Sequence, residues 1–249
     1  MNRAETFDAL NVTTISIHLA WATLEILSDE VSAMQLLVSG DDMDVEDLKV
    51  SLSEGTLSIE QPSYGLSPHL TVVRWMQVVL RVPRTWKGKV DASTIAGPLK
   101  ARGLSGTDLT LDTVSGDLRV TSLTAIELTL RTVTAGIAAN SLCAGQINAR
   151  TVSGKLAFER ADGQKIRLST VSGEIAAELS SRLEKLDVNT VAGEVLLTLP
   201  HASANLTYRA ATGKLRTSGV SISPEQGPEI SVTSVSGGLM VARSGEENE

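Results

Sequence analysis

Serine is the first residue type here whose recurrence could do chemistry. It stands third in Thr113-Val114-Ser115-Gly116, Thr151-Val152-Ser153-Gly154 and Thr170-Val171-Ser172-Gly173. A nucleophilic serine needs an adjacent base. This one recurs without a neighbouring base, and Ala96 and Ala192 replace it in equivalent tetrapeptides. It reads as a structural residue. The histidines His18, His69 and His201 are far apart, and none has a cysteine, histidine or carboxylate pair at metal-ligand spacing. Cys143 is the single cysteine, which excludes an internal disulfide framework. Asp42, Asp44, Glu46 and Asp47 resemble the start of a calcium loop, but Asp47 stands where that loop needs glycine and Ser53 where it needs its bidentate glutamate. Asp112 and Asp117 are candidate carboxylates for a polysaccharide-active site, yet the segments around them are uniform in length, with almost no insertion to build a cleft. No catalytic, cofactor or metal residue is assigned.

Two sets of residues suit binding rather than catalysis. Arg131, Arg150, Lys165 and Arg167 lie in adjacent repeats and form a candidate anion-binding face. Aromatics suited to stacking bases are missing there, so sequence-specific nucleic-acid binding is not expected. Ala138, Ala157, Ala176 and Leu196 recur at one offset and form a candidate oligomer face. The Thr-x-Ser/Thr columns also suggest an ordered-water face, but Arg131, Arg150 and Arg209 would interrupt it; a corner ladder explains them better.

These residues are positioned by a repeat. Looser copies of the tetrapeptide occur at Thr94–Gly97, Thr132–Ala135, Thr190–Gly193, Ala210–Gly213 and Ser234–Gly237. With Ala135 counted as a closing residue, the anchors 97, 116, 135, 154, 173, 193, 213 and 237 differ by 19, 19, 19, 19, 20, 20 and 24. Such a period is a solenoid signature. Seven residues before each anchor stand Val90, Leu109, Leu128, Ile147, Ile166, Leu186, Leu206 and Ile230. Two after it stand Leu99, Leu118, Ile137, Leu156, Ile175, Val195, Leu215 and Leu239. Five before it the column is mixed but apolar, from Ala92 and Leu111 to Tyr208 and Val232. The expected fold is all-β: a parallel β-solenoid of about eight coils, each with one strand entering and one leaving the tetrapeptide. At about 4.8 Å per coil the rod is roughly 35–40 Å long. The spacing leaves open whether Thr or Val turns inward at the corner, and valine is the preferred assignment. Glycine there is expected to permit a bend or a positive φ.

Residues 1–66 form an acidic β-rich region that caps the solenoid, 67–243 the repeat domain and 244–249 an acidic tail. Residues 1–66 hold 12 acids against Arg3 and Lys49, a balance of −10; residues 67–243 hold 14 acids against 20 bases, a balance of +6. The capping region contains short alternating runs from Val12–Ile17 to Thr56–Ile59, with a possible helical turn at Val45–Leu48. Pro62–Pro68 is the break, followed by a long strand from Leu70 to Val82. At the far end, Ser223–Pro228 and the acidic tail are expected to stop further strands from adding.

The repeated Thr-Val-Ser-Gly followed by Asp117-Leu118, Lys155-Leu156 or Glu174-Ile175, and preceded by Val79-Leu80-Arg81-Val82-Pro83, resembles the bacterial “putative adhesin” family of β-strand repeats, a domain of unknown function. The resemblance covers most of the chain. It implies a right-handed or similar parallel β-solenoid and links to envelope stress or the cell surface, and it supplies no catalytic residues. Unlike a surface adhesin, the sequence shows no export signal, and no stretch approaches the roughly 18 apolar residues of a membrane span. The expectation is therefore a non-enzymatic binding or scaffold protein, cytoplasmic or peripheral to the envelope. Its expected partners are another protein, further copies of itself or an anionic envelope component. A self-assembling rod and a polysaccharide-active solenoid enzyme are the alternatives.

Overall fold

The computed structural model describes residues 1–62 and 75–245. The protein is all-β, and its strands form one open sheet that wraps around a single aliphatic core. The first part comprises β1 (Asn2–Phe7), β2 (Thr14–Leu19), β3 (Thr23–Asp29), β4 (Met34–Gly40), helix α1 (Asp42–Asp47), β5 (Lys49–Ser53) and β6 (Thr56–Glu60). Then come β7 (Met76–Pro83), β8 (Lys89–Thr94), β9 (Leu99–Arg102), β10 (Asp108–Thr113), β11 (Leu118–Arg131), β12 (Ile137–Arg150) and β13 (Leu156–Ser169). The last part holds β14 (Ile175–Leu179), β15 (Lys185–Asn189), β16 (Val195–Leu199), β17 (Ser203–Thr212), β18 (Leu215–Ser218), β19 (Ser221–Ile222), β20 (Glu229–Ser236) and β21 (Leu239–Arg243). The expected boundary at residue 66 and the first five residues of the expected strand from Leu70 lie outside the described residues, as does the tail from 246; the rest of that strand is β7.

Each regular coil has two long sides and a short one. A strand on the second face, such as Leu118–Thr121, leaves one corner; the chain then bends, runs a short third side and returns on the first face, as in Glu127–Arg131. The bend is made by residues in left-handed conformation: Gly103 (φ 68°), Ser122 (55°), Ser141 (55°) and Arg160 (59°). Side chains at the next position, Leu104, Leu123, Leu142 and Ala161, then turn into the core. This second column of corners went unread in the sequence because serine and arginine do not advertise a positive φ as glycine does.

The order of coils is not the order of the chain. From β8–β9 to β15–β16, strands of successive coils pair in parallel. Beyond them, β15 pairs with β20 and β16 with β21, while β17 and β18 pair with the outer edges of β20 and β21. The coil anchored at 237 is thus inserted between those anchored at 193 and 213. The Ser223–Pro228 insertion, expected to guard the end, belongs to the return path into β20, where the Glu229 amide bonds the Glu184 carbonyl at 2.9 Å. The other end repeats the device. β2 lies between β6 and β8, and β3 between β7 and β9, all in parallel, so the chain builds its second-outermost coil before its outermost.

Beyond β6 and β7 the pairing becomes antiparallel, through β5 on one face and β4 and then β1 on the other. Helix α1 closes the core there by burying Val45 and, just past its end, Leu48. The Arg3 guanidinium holds the helix in place by donating to the Val45 and Leu48 carbonyls at 3.3 and 2.7 Å. The expected columns are buried throughout the regular coils. They fail in the coil anchored at 213, where Leu206 and Tyr208 are half-buried and Leu215 is 37% exposed. Among the described residues that coil is the outermost one, with no coil beyond it to cover the column.

Candidate functional site

The corner tetrapeptide is oriented opposite to expectation. Thr94, Thr113, Thr132, Thr151, Thr170 and Thr190 are buried, and the following residue points out. Inward positions fall at seven, five and three residues before the anchor, so strand alternation continues unbroken to the threonine and no bulge is needed. The threonine hydroxyl also serves the turn. Thr113 Oγ1 accepts the Gly116 amide at 3.1 Å and a bond from Thr94 Oγ1 at 3.1 Å, and Thr132 Oγ1 accepts the Ala135 amide at 3.3 Å. Valine cannot make these bonds, and strand alternation places it on the outside.

The closing glycine has a role different from the expected bend at Gly116, Gly154 and Gly173. A Cβ at each would overlap the carbonyl oxygen of the corner beneath, at Gly97, Ala135 and Gly154 respectively. The requirement there is close approach between stacked backbones, while Gly97 and Gly193 do adopt positive φ.

The result is a ridge along one edge of the molecule, made by Ile95, Val114, Val133, Val152, Val171, Val191 and Val235. Each is between 40% and 56% exposed. The backbone beneath is fixed by bonds from coil to coil: Ser153 N to Val133 O at 2.8 Å, Ser172 N to Val152 O at 2.9 Å and Ser236 N to Val191 O at 2.8 Å. The serine hydroxyls are turned to the same use, as in Ser115 Oγ to Ile95 O at 3.0 Å.

The four candidate anion-binding residues share the first face but do not converge. Arg131 and Arg150 stand side by side in register, immediately before the buried threonines. Arg167 and Lys165 lie further from the ridge on β13. Arg131 pairs with Asp112 at 3.4 Å and Arg167 with Asp187 at 3.7 Å. Asp112 is partly buried; desolvation raises its pKa from the ordinary aspartate value, with Arg131 opposing the shift. Arg150 and Lys165 make no ion pair among the described residues. Arg150 borders a shallow hollow of about 260 Å³ beside the ridge, lined by Ser169, Asn189 and Thr233 among others.

On the second face Ala138, Ala157, Ala176 and Leu196 form one column, each in register with the next. The column continues to Met240, because the coil anchored at 237 lies next to that anchored at 193. Charged pairs flank it, Arg119 with Asp117 at 3.0 Å and Lys155 with Glu174 at 2.9 Å. Two shallow grooves run beside it, of about 200 Å³ at Gly136, Ala138 and Ala157 and about 400 Å³ at Leu196, Gly238 and Met240.

The remaining candidates are dispersed. His18 bonds Ser93 and Ser16 hydroxyls at 2.7 and 3.1 Å, while His69 lies outside the described residues. Cys143 is half-buried, 3.4 Å from Arg182. Asp42 pairs with the N-terminal amine at 2.7 Å. Among the described residues no three His, Cys, Asp or Glu side chains are placed to hold a metal, and no helix is long and apolar enough to cross a membrane.

Several solved structures share this fold. A “putative adhesin” from Parabacteroides distasonis ATCC 8503 is 12% identical, with TM-score 0.61 over 98% of this chain and 97% of that one. A “putative lipid binding protein” from the same strain is 14% identical, with TM-score 0.57 over 96% of both chains. A “putative adhesin” from Bacteroides fragilis NCTC 9343 is 14% identical, with TM-score 0.56 over 98% and 97%. At these identities the likeness establishes fold alone. No curated protein matches the sequence significantly. The family model described as Toastrack DUF4097 matches residues 12–226, most of the chain. With the repeated corners, that match shows that the chain belongs to the Toastrack DUF4097 family.

Proposed function

We propose that this protein is a non-enzymatic, adhesin-like binding or scaffold protein, a parallel β-solenoid of about eight repeat coils that engages its partner through the corner ridge. The observation carrying this reading is the ridge itself: seven consecutive coils each expose one β-branched side chain on a backbone held rigid by inter-coil hydrogen bonds. A rigid, regularly spaced apolar row loses little conformational entropy on binding. Arg131 and Arg150 beside it suit an anionic group on the partner, an envelope component among them. Structural neighbours described as adhesins and as a lipid-binding protein fit a binding role. We assign the protein to the cytoplasm, at or near the envelope. A photo-reactive residue at Val152, introduced in the native cell, should give discrete cross-linked species. The same probe at Glu178, on the second face, should not. Equal labelling at both positions, or none at Val152, would overturn the reading.

A self-assembling rod is the second reading, favoured by the uncovered coil at the C-terminal end of the stack. The polysaccharide-enzyme alternative gains no support, since Asp112 and Asp117 lie on different faces, each in an ion pair with an arginine.

A further inference from the structure

We propose that copies of this chain stack head to tail, the open C-terminal end of one seating the acidic N-terminal end of the next. The inference rests on the self-assembling reading and is independent of the corner ridge.

The two ends of the stack are finished differently. At the C-terminal end, β17 and β18 each have a paired edge toward β20 and β21, and among the described residues their opposite edge carries only β19, which reaches no further than Ser203 and Ala204. Backbone groups along the rest of that edge are available for pairing. The core column is also uncovered there, with Leu206 and Tyr208 half-buried and Leu215 exposed. Between Ser203 and Ile222 the coil carries Arg209, Lys214 and Arg216 and no acid. None of these three cations makes an ion pair among the described residues.

The N-terminal end offers the complement. Helix α1 buries Val45 and turns Asp42, Met43, Glu46 and Asp47 outward, with Met43 68% exposed. A solvent-facing methionine ringed by carboxylates matches an uncovered leucine ringed by cations, in both apolar and electrostatic character. The same charges decide the geometry. Tail-to-tail contact would press three cations against three, and head-to-head contact would oppose two acidic helices. Only the unlike ends attract. A heterologous contact of this kind does not close on itself, so it builds an open row rather than a dimer.

The test uses the full chain in sedimentation velocity and light scattering across a concentration series, at low and high salt. Mass should rise beyond that of a dimer with concentration and fall with salt. The triple variant Arg209→Glu, Lys214→Glu, Arg216→Glu makes both ends acidic and should weaken association by about tenfold or more. So should Asp42→Lys with Glu46→Lys, which brings basic charge to the acidic end. Mixed in equal amounts, the two variants present matching ends in alternation, and association should return. Circular dichroism confirms that each variant remains folded. A chain that stays monomeric, an assembly that stops at two copies, or folded variants whose mixture does not associate would each overturn the proposal. Loss of cross-linking at Val152 would leave it standing, so the two readings fail separately.

Discussion

The two ends of the stack share a topology and differ in finish. At each, the chain places its second-outermost coil out of sequence, with β2–β3 inside β6–β7 at one end and β20–β21 inside β17–β18 at the other. At the N-terminal end the outermost coil is then covered: Leu57, Ile59, Val78 and Leu80 are all buried beneath α1 and the antiparallel strands. At the C-terminal end the equivalent positions of the last coil are half-buried or exposed. A repeat thus specifies how each coil is shaped, while the connections decide which coil lies next to which and which is left at the surface.

The largest expected effect separates two leucines at the same repeat offset. Leu239 is 1% exposed and Leu215 37%. Leu239→Ala should cost about 2–5 kcal/mol in denaturant unfolding, as for a buried leucine. Leu215→Ala should cost less than about 1 kcal/mol, as at a surface position. Reversed magnitudes would place the coil anchored at 213 inside the stack and break the comparison.

The threonine ladder sharpens it at smaller scale. Toward the N-terminal end Thr113 Oγ1 has two hydrogen-bond partners; Thr170 and Thr190 Oγ1 are buried with none among the described residues. Thr113→Val should therefore lower stability by about 1–2 kcal/mol, while Thr170→Val should be neutral or raise it by up to about 1 kcal/mol. Thermal or urea unfolding of the pair measures the difference, and equal losses would mean that the ladder is uniform.

The smallest effect concerns the left-handed bend, which runs from Gly103 to Arg160 and is replaced in the next coil by the turn at Ser180–Leu183. Arg160→Gly should raise stability by about 0.5 kcal/mol, and β-branched Arg160→Val should lower it by about 1 kcal/mol. The unfolding midpoints check the order, and a more stable Arg160→Val variant would remove the bend from the account.

The columns were legible because a fixed period with invariant aliphatic types leaves few arrangements that bury them. The charge split is a property of the sequence itself, and three of the 20 bases of residues 67–243, Arg209, Lys214 and Arg216, lie in the outermost coil. The corner was misread because hydrophobicity favours valine inside; strand alternation sets threonine inward, and at Thr113 and Thr132 its hydroxyl also bonds the turn, a need composition does not display. Coil order was not legible, since Leu215 and Leu239 occupy the same offset. The traces it left are the final spacing of 24 and the last-coil residues Tyr208 and Ala210, which replace an aliphatic and a threonine. The four basic residues share the first face and the alanine column lies on the second, while the ion pairing that singles out Arg150 and Lys165 depends on cross-coil register.

Coil order is the central claim, and a disulfide trap tests it most directly. With Cys143→Ser as background, Asn189→Cys with Thr233→Cys joins two exposed residues in direct register on neighbouring strands. Their separation of about 4.8 Å lies in the range that a disulfide spans. Asn189→Cys with Arg209→Cys joins residues two strands apart, since Arg209 is in register with Thr233 on its far side. Under mild oxidation the first pair should form an intramolecular bond in the folded protein and the second should remain reduced; ready closure of the second pair and not the first would contradict the account.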